Sequence, residues 1–263
     1  MCGYVGFMNK IDNSNIVIGK MTDRIKHRGP DAEGRYVDGD IALGHRRLSI
    51  IGIDESGNQP LFNEDGSKVL VFNGEIYNYQ GIREKLIAAG HIFTTQTDSE
   101  VLLHGYEEYG VKLLDMLRGM FSFVIWDKKK KELFGARDFF GIKPLYYAKM
   151  QGSFMFGSEI KSFLEHPHFV KELNTAALEN YLTFQYSPTA ETFFKNVHKL
   201  PPAHYFTYKD GKMNTGCYWD VHFDADEKPD LNEWVNRISD TFHDSVKVHK
   251  IADVEVGSFL SSG

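Results

Sequence analysis

The stretch Met120-Phe121-Ser122-Phe123-Val124-Ile125-Trp126, then Lys128 to Lys131, then Glu132-Leu133-Phe134-Gly135-Ala136, reads as two β-strands joined by a basic turn. Aromatic and β-branched residues fill the runs on either side, as buried strands require, and four lysines in a row suit the solvated end of a hairpin. Pro144–Ala148 and Phe154–Gly157 continue the series with equally short connections. Strands joined by such tight turns pair antiparallel.

Working outward toward the N-terminus, Cys2–Phe7, Ile41–Ile51 and Lys68–Phe72 are further β-rich runs. Between them, Asn15–Lys26 places Ile18, Met21 and Ile25 at helical spacing and stops before Gly29-Pro30. Tyr79–Ala89 is a second helix closed by Gly90, and Asp98 or Ser99 is expected to cap a third that runs to Tyr109. A short helix is expected at Val111–Leu117. Strands at both ends with helices between them predict an α+β domain whose two sheets face each other.

Toward the C-terminus, Asn174–Phe184 is a well-capped helix, and Ser187–Trp219 reads as irregular apart from a hairpin turn at Lys209-Asp210-Gly211. Asp224–Pro229 is a polar linker. Asp230 then caps a helix with Leu231, Trp234, Val235, Ile238 and Phe242 on one face, and Val254–Leu260 reads as a buried strand of a parallel sheet.

Composition narrows the function classes. Among 263 residues, 30 basic and 36 acidic side chains give a net charge of −6, which disfavours a nucleic-acid surface. No apolar run approaches the ~20 residues of a membrane span, and the N-terminus lacks the regions of a signal peptide. Cys2 and Cys217 are the two cysteines, so no disulfide framework is expected and a reducing cytoplasm is the default. The 11 histidines are scattered without zinc spacing, so no metal site is expected.

Chemistry concentrates elsewhere. Removal of Met1, which precedes a small residue, would give Cys2 both a thiol and a free α-amine, and a neighbouring amine is a known activator of a nucleophile. Four segments are polar where the pattern says core: His27–Asp31, Gly44–Ser49, Asn73–Asn78 and Thr97–Glu100. Each alone has a local explanation as a turn, cap or solvated charge. Arg46 and Arg47, adjacent in a strand, must point to opposite faces. Together with Cys2 these segments make a consistent site. An arginine fork suits an α-carboxylate, an aspartate suits an α-ammonium, and an asparagine amide beside a glycine N–H suits a developing oxyanion.

Those residues, with Gln59-Pro60-Leu61, Gly119–Asp127, Arg137–Tyr147 and Ser158–Lys161, carry a resemblance that runs almost end to end. The chain resembles the N-terminal glutaminase domain of glutamine-hydrolysing asparagine synthetases, class II glutamine amidotransferases of the Ntn-hydrolase fold. The motif Arg137-Asp138-x-x-Gly141-Ile142-Lys143-Pro144-Leu145-Tyr146-Tyr147 is similar to the asparagine synthetase branch in particular. The resemblance implies an αββα sandwich over residues 1–223 and a linker with the truncated start of an ATP-pyrophosphatase-type α/β synthetase domain over residues 224–263. It implies that Cys2 is the nucleophile and its α-amine the base, and that Asn73 and the Gly74 N–H form the oxyanion hole. Arg47 then binds the glutamine α-carboxylate, Asp98 with Glu75 binds the α-ammonium, and the Ile50 and Ile51 backbone lines the pocket. Glutamine hydrolysis needs no cofactor, and Mg-ATP belongs to the synthetase domain that amidates aspartate. That domain is the expected partner, and a homodimer is left open.

The chain departs from the family pattern at Gly52, where many relatives carry aspartate, and at Ser261-Ser262-Gly263, where the phosphate loop is altered and unfinished. ATP chemistry is therefore expected to lie outside these residues. Two other readings remain: the amidotransferase half of a different pathway, or a non-catalytic module that binds glutamine or a partner domain. Cys217, with aromatic neighbours in Gly216-Cys217-Tyr218-Trp219, is expected to be buried and inert.

Overall fold

Apolar residues at successive positions of a strand need cover on both faces, and this requirement sets the layers. The computed structural model describes residues 1–9, 11–225 and 229–260. The strands are β1 (Gly3–Met8), β2 (Ala32–Asp38), β3 (Ile41–Arg47), β4 (Leu61–Phe62), β5 (Lys68–Ile76) and β6 (Gly119–Asp127). They continue as β7 (Glu132–Arg137), β8 (Tyr146–Met150), β9 (Ser153–Gly157), β10 (Val197–Lys199), β11 (His204–Lys209) and β12 (Lys212–Cys217). The helices are α1 (Ser14–Asp23), α2 (Tyr79–Ala88), α3 (Asp98–Tyr109), α4 (Thr175–Phe184) and α5 (Leu231–Val248).

Two six-stranded sheets form, in the orders β10-β8-β9-β1-β3-β2 and β12-β11-β7-β6-β5-β4. The strand pairs in both are antiparallel. Side-chain alternation sorts each strand between two cores. In β5, Val69 and Val71 meet Tyr4, Leu43, Phe154 and Phe156 of the other sheet, while Leu70 and Phe72 join Ile82, Leu86, Val101 and Leu102 of α2 and α3. In β1, Tyr4 faces the inter-sheet core, whereas Val5 and Phe7 pack with Ile18, Met21 and Ile25 at and just beyond α1. The result is helix, sheet, sheet, helix, the sandwich anticipated above.

Local expectations fared unevenly. The Lys128–Lys131 turn does join β6 to β7, in a register running from Ser122–Arg137 to Asp127–Glu132. The helix expected at Val111–Leu117 is a 3₁₀ stretch, Gly110–Met116. Ser187–Trp219 is more regular than expected, because β11 pairs with β7 and extends the second sheet. Neither Asp98 nor Ser99 caps α3: Thr97 holds the N-cap position without a side-chain bond, and the Asp98 carboxylate accepts the Ile76 N–H at 2.8 Å instead.

The C-terminal expectations need the larger correction. Asp230 does cap α5, accepting the Glu233 N–H at 2.9 Å. Val254–Leu260, however, forms no strand, and Phe259 and Leu260 are fully exposed. Among the described residues no parallel strand exists for it to join, so its β pattern has no ladder to complete. Ser261-Ser262-Gly263 and part of the Asp224–Pro229 linker lie outside the described residues. No described helix is long and apolar enough to cross a membrane.

Candidate active site

The site lies where β1 begins, β3 ends and β5 ends. Gly3 pairs with Arg46, which sets Cys2 beside Arg47 at the same rim of the first sheet. The end of β5, from Asn73 to Ile76, comes to that rim from the second sheet. A cavity of about 40 Å³ opens there, lined among others by Met1, Cys2, Arg47, Asn73, Asp98 and Lys143. Ile50, Ile51, Gly74 and Glu75 line it as well. Every residue expected of the site is thus at one place, although ligand pockets commonly run to ~300–1,000 Å³.

Cys2 is half-buried, with Sγ 3.4 Å from both the Leu48 carbonyl oxygen and the Leu48 N–H nitrogen. Burial pushes its thiol pKa up. Arg28 Nε donates to the Cys2 carbonyl at 2.8 Å, and a Cβ at Gly3 would sit 2.8 Å from the Arg28 side chain. Met1 lines the same cavity, its sulfur 2.8 Å from Lys143 Nζ. Burial also lowers the pKa of the Met1 amine.

Asn73 is 1% exposed, yet its Nδ2 has no hydrogen-bond partner. A buried amide donor without an acceptor costs on the order of 1–3 kcal/mol. Here it borders the cavity that Cys2 also borders. Gly74 follows it under a separate constraint, since a Cβ there would lie 2.2 Å from the Met120 carbonyl oxygen.

The two acids differ in setting. Burial, followed by the charge of Glu75, raises Asp98 to about 7. Glu75 is itself raised by burial, against the pull of Lys143. Burial thus raises both carboxyls, and Lys143 offsets it only at Glu75.

The arginines diverge as strand geometry requires. Arg46 turns to the Thr22 carbonyl, Asp23 and Glu33. Arg47 braces the loop after β3, donating from Nη1 to the Asp54 carbonyl at 2.5 Å and to Asn58 Oδ1 at 3.0 Å. Its Nη2 reaches the Gly52 and Ile51 carbonyls. The guanidinium fork is therefore occupied, and an incoming carboxylate must displace backbone oxygens or use Nε.

Sequence reasoning missed Lys143 as a site residue, although it is buried and lines the cavity. Its position is built by the motif read above as a branch signature. Asp138 accepts the Ile142 and Lys143 N–H groups at 2.8 and 2.9 Å, and Arg137 donates to the Gly141, Lys143 and Leu200 carbonyls. A lone lysine before proline in an apolar run was the available signal. Thr97, Ser99 and Gln59 also line the cavity. Cys217 corrects another expectation: it is exposed, because it ends β12 at the sheet edge, with Sγ turned to the Trp219 carbonyl at 3.1 Å.

Residues 1–219 match the family model of the glutamine amidotransferase domain. Glutamine-hydrolysing asparagine synthetase 1 of Bacillus subtilis strain 168 is 42% identical over the whole of this chain and 42% of the relative's length. Asparagine synthetase 3 of the same organism is 35% identical over the whole chain and 44% of its own length. The chain thus spans less than half the length of these curated relatives. Among solved structures, glutamine phosphoribosylpyrophosphate amidotransferase from B. subtilis superposes with a TM-score of 0.63 at 21% identity, over 83% of this chain and 49% of that one. That likeness concerns the fold. The chain belongs to the glutamine amidotransferase family.

Proposed function

We propose that this glutamine amidotransferase domain hydrolyses the side-chain amide of glutamine with Cys2 as nucleophile and, once Met1 is trimmed, the Cys2 α-amine as base. Burial keeps the thiol protonated, so attack needs an acceptor that takes the proton as the carbon–sulfur bond forms. Asn73 Nδ2 and the Gly74 N–H receive the charge that develops on the amide oxygen. Collapse of the tetrahedral intermediate expels ammonia, which leaves with the proton held by the α-ammonium, and a γ-glutamyl thioester remains. Water, deprotonated by the same amine, then releases glutamate. Asp98 and Glu75 hold the α-ammonium of glutamine, Arg47 its α-carboxylate, and the Ile50–Ile51 backbone its stem. Trimming of Met1 would also remove one wall of a cavity that is small for glutamine.

The observation that carries this reading is the unpaired, buried Asn73 amide beside Cys2. The relatives' names suggest the destination of the ammonia. We extend them to this chain: residues 1–223 supply ammonia to a cytoplasmic, Mg-ATP-dependent synthetase domain that converts aspartate to asparagine, and residues 224–263 begin that domain. Identity of 42% over the whole chain supports this extension.

The test is release of glutamate and ammonia from glutamine by chain whose intact mass shows Met1 removed. Cys2→Ala should abolish turnover with unchanged circular dichroism. Undiminished hydrolysis by that variant overturns the assignment. For the acceptor, isotope-labelled amide nitrogen should appear in asparagine when a longer chain carrying the synthetase portion is given aspartate and Mg-ATP.

A further inference from the structure

Away from the glutamine site, three segments distant in sequence bring metal-ligating groups together. Glu64 comes from the turn between β4 and β5, His91 from the segment after α2, and His104 from the buried face of α3. One ligand atom of each lies within 4.8 Å of the others. His104 is fully buried, and its Nδ1 is 3.5 Å from Glu64 Oε1 and 3.3 Å from Glu107 Oε2. His91 Nδ1 is 4.0 Å from that same Glu107 oxygen. Three donors thus lie close together, and Glu107 Oε2 approaches them from the side of the two histidines. Zinc bonds of about 2.0–2.2 Å place neighbouring tetrahedral donors roughly 3.3–3.5 Å apart, the spacing of His104 Nδ1 from Glu64 and Glu107, while His91 would have to close in by a few tenths of an ångström.

The outer contacts have the form that such a site needs. A metal-bound imidazole usually offers its other nitrogen to a carboxylate, which fixes tautomer and orientation. His91 Nε2 lies 3.3 Å from Glu108 Oε2, and His104 Nε2 lies 3.5 Å from Glu100 Oε1. Glu100 accepts the N–H and hydroxyl groups of both Thr94 and Thr95 at 2.7–2.9 Å. His104 Nε2 makes no formed hydrogen bond, although it is buried. Glu107 is fixed through its other oxygen by Asn63 at 2.7 Å and Lys68 at 3.1 Å, which leaves Oε2 turned to the histidines. Glu64, Glu100, Glu107 and Glu108 outweigh the nearby cations Lys68 and Lys129, so the surroundings favour a divalent ion.

We propose that Glu64, His91, His104 and Glu107 form a zinc site that ties the β4–β5 turn and the segment after α2 onto α3. This runs against the sequence expectation of no metal, because only His104 and Glu107 share a helical spacing and the other two ligands come from distant segments. The site is independent of glutamine hydrolysis, and its occupancy can be read without any activity measurement.

The experiment is titration of chelator-stripped chain with Zn²⁺ against a competing indicator, in a Cys2→Ala, Cys217→Ala background that removes both thiols. One equivalent should bind at micromolar affinity or tighter, and the thermal midpoint should rise with added Zn²⁺. Cobalt in its place should give the visible absorption of a tetrahedral ion. His91→Ala and Glu64→Gln, both at partly exposed positions, should weaken binding at least about ten-fold while the apo proteins keep their circular dichroism. Absence of stoichiometric binding, or equal binding by both variants, would overturn the proposal.

Discussion

Helices α1 and α5 carry similar apolar spacing and meet opposite fates. Ile18 and Met21 of α1 are fully buried against the first sheet. In α5 no residue is buried, and Ile238 and Phe242 remain 65% and 67% exposed. The contact that holds this C-terminal region lies at its far end. Asp244 pairs with Arg118, the His249 ring lies 4.5 Å from Tyr77, and Asp253 exchanges two hydrogen bonds with the Ile50–Gly52 loop. One helix is packed and the other is tethered. An amphipathic stripe shows that a face seeks cover; whether these residues supply the cover is a separate question.

The largest effect should come from truncating matched positions. Met21→Ala removes a fully buried side chain and should cost ~2–5 kcal/mol of stability, whereas Ile238→Ala should stay within ~0.5 kcal/mol. Urea unfolding of both variants measures this, and equal losses would break the contrast.

Chemistry should divide the same way. Asn73→Ala in the packed region should lower kcat ~10²–10³-fold with little change in glutamine binding, because the proposed partner of its amide is an oxygen charged only in the transition state. Ile238→Ala should leave kcat unchanged. Steady-state kinetics that show Asn73→Ala acting mainly on KM would show that its role has been misassigned.

A smaller effect follows from Asp98. Burial raises its carboxyl to about 7, so if Asp98 holds the α-ammonium of glutamine as proposed, protons should compete for it below that pH. The carboxylate form gains population as pH rises, so binding strengthens in that direction. Calorimetry on Cys2→Ala, which removes turnover, should find affinity about ten-fold weaker at pH 6 than at pH 8. Asp98→Asn should bind weakly with a flat profile between those limits, and a retained slope would assign the titration elsewhere.

The smallest expected change belongs to the tether. Asp253 accepts the Gly52 N–H at 2.7 Å, and Gly52 is in the loop that Arg47 braces at the cavity edge. Asp253→Ala should raise KM for glutamine about two- to five-fold, the loss of roughly one exposed hydrogen bond, without a change in thermal midpoint. A fall in kcat of the same size would mean that the C-terminal segment shapes the chemical step too.

How legible all this was depended on what each feature needs from its surroundings. β6 to β9 stood out because apolar runs and tight turns are local. β11 did not, since prolines precede it and its partner β7 is distant in the chain. Val254–Leu260 shows the converse, a strand pattern without a ladder among the described residues. Asp98 read as a cap, the nearest use for a carboxylate at a helix start, but tertiary structure assigns it to the Ile76 N–H on β5.

By itself the sequence determined the layers and the roll of reactive groups. Alternation along each strand decides which side chains face which core, and Cys2, Arg47, Asn73 and Asp98 are present whatever the fold. Only the tertiary structure decided how those groups are engaged. It occupies the Arg47 fork with loop carbonyls, leaves the Asn73 amide without an acceptor, brings in Lys143, and gathers Glu64, His91, His104 and Glu107. Periodicity and turn chemistry act between neighbours in the chain. Hydrogen-bond partners and shifted ionisation depend on distances between residues that come together only when both faces of each sheet are buried.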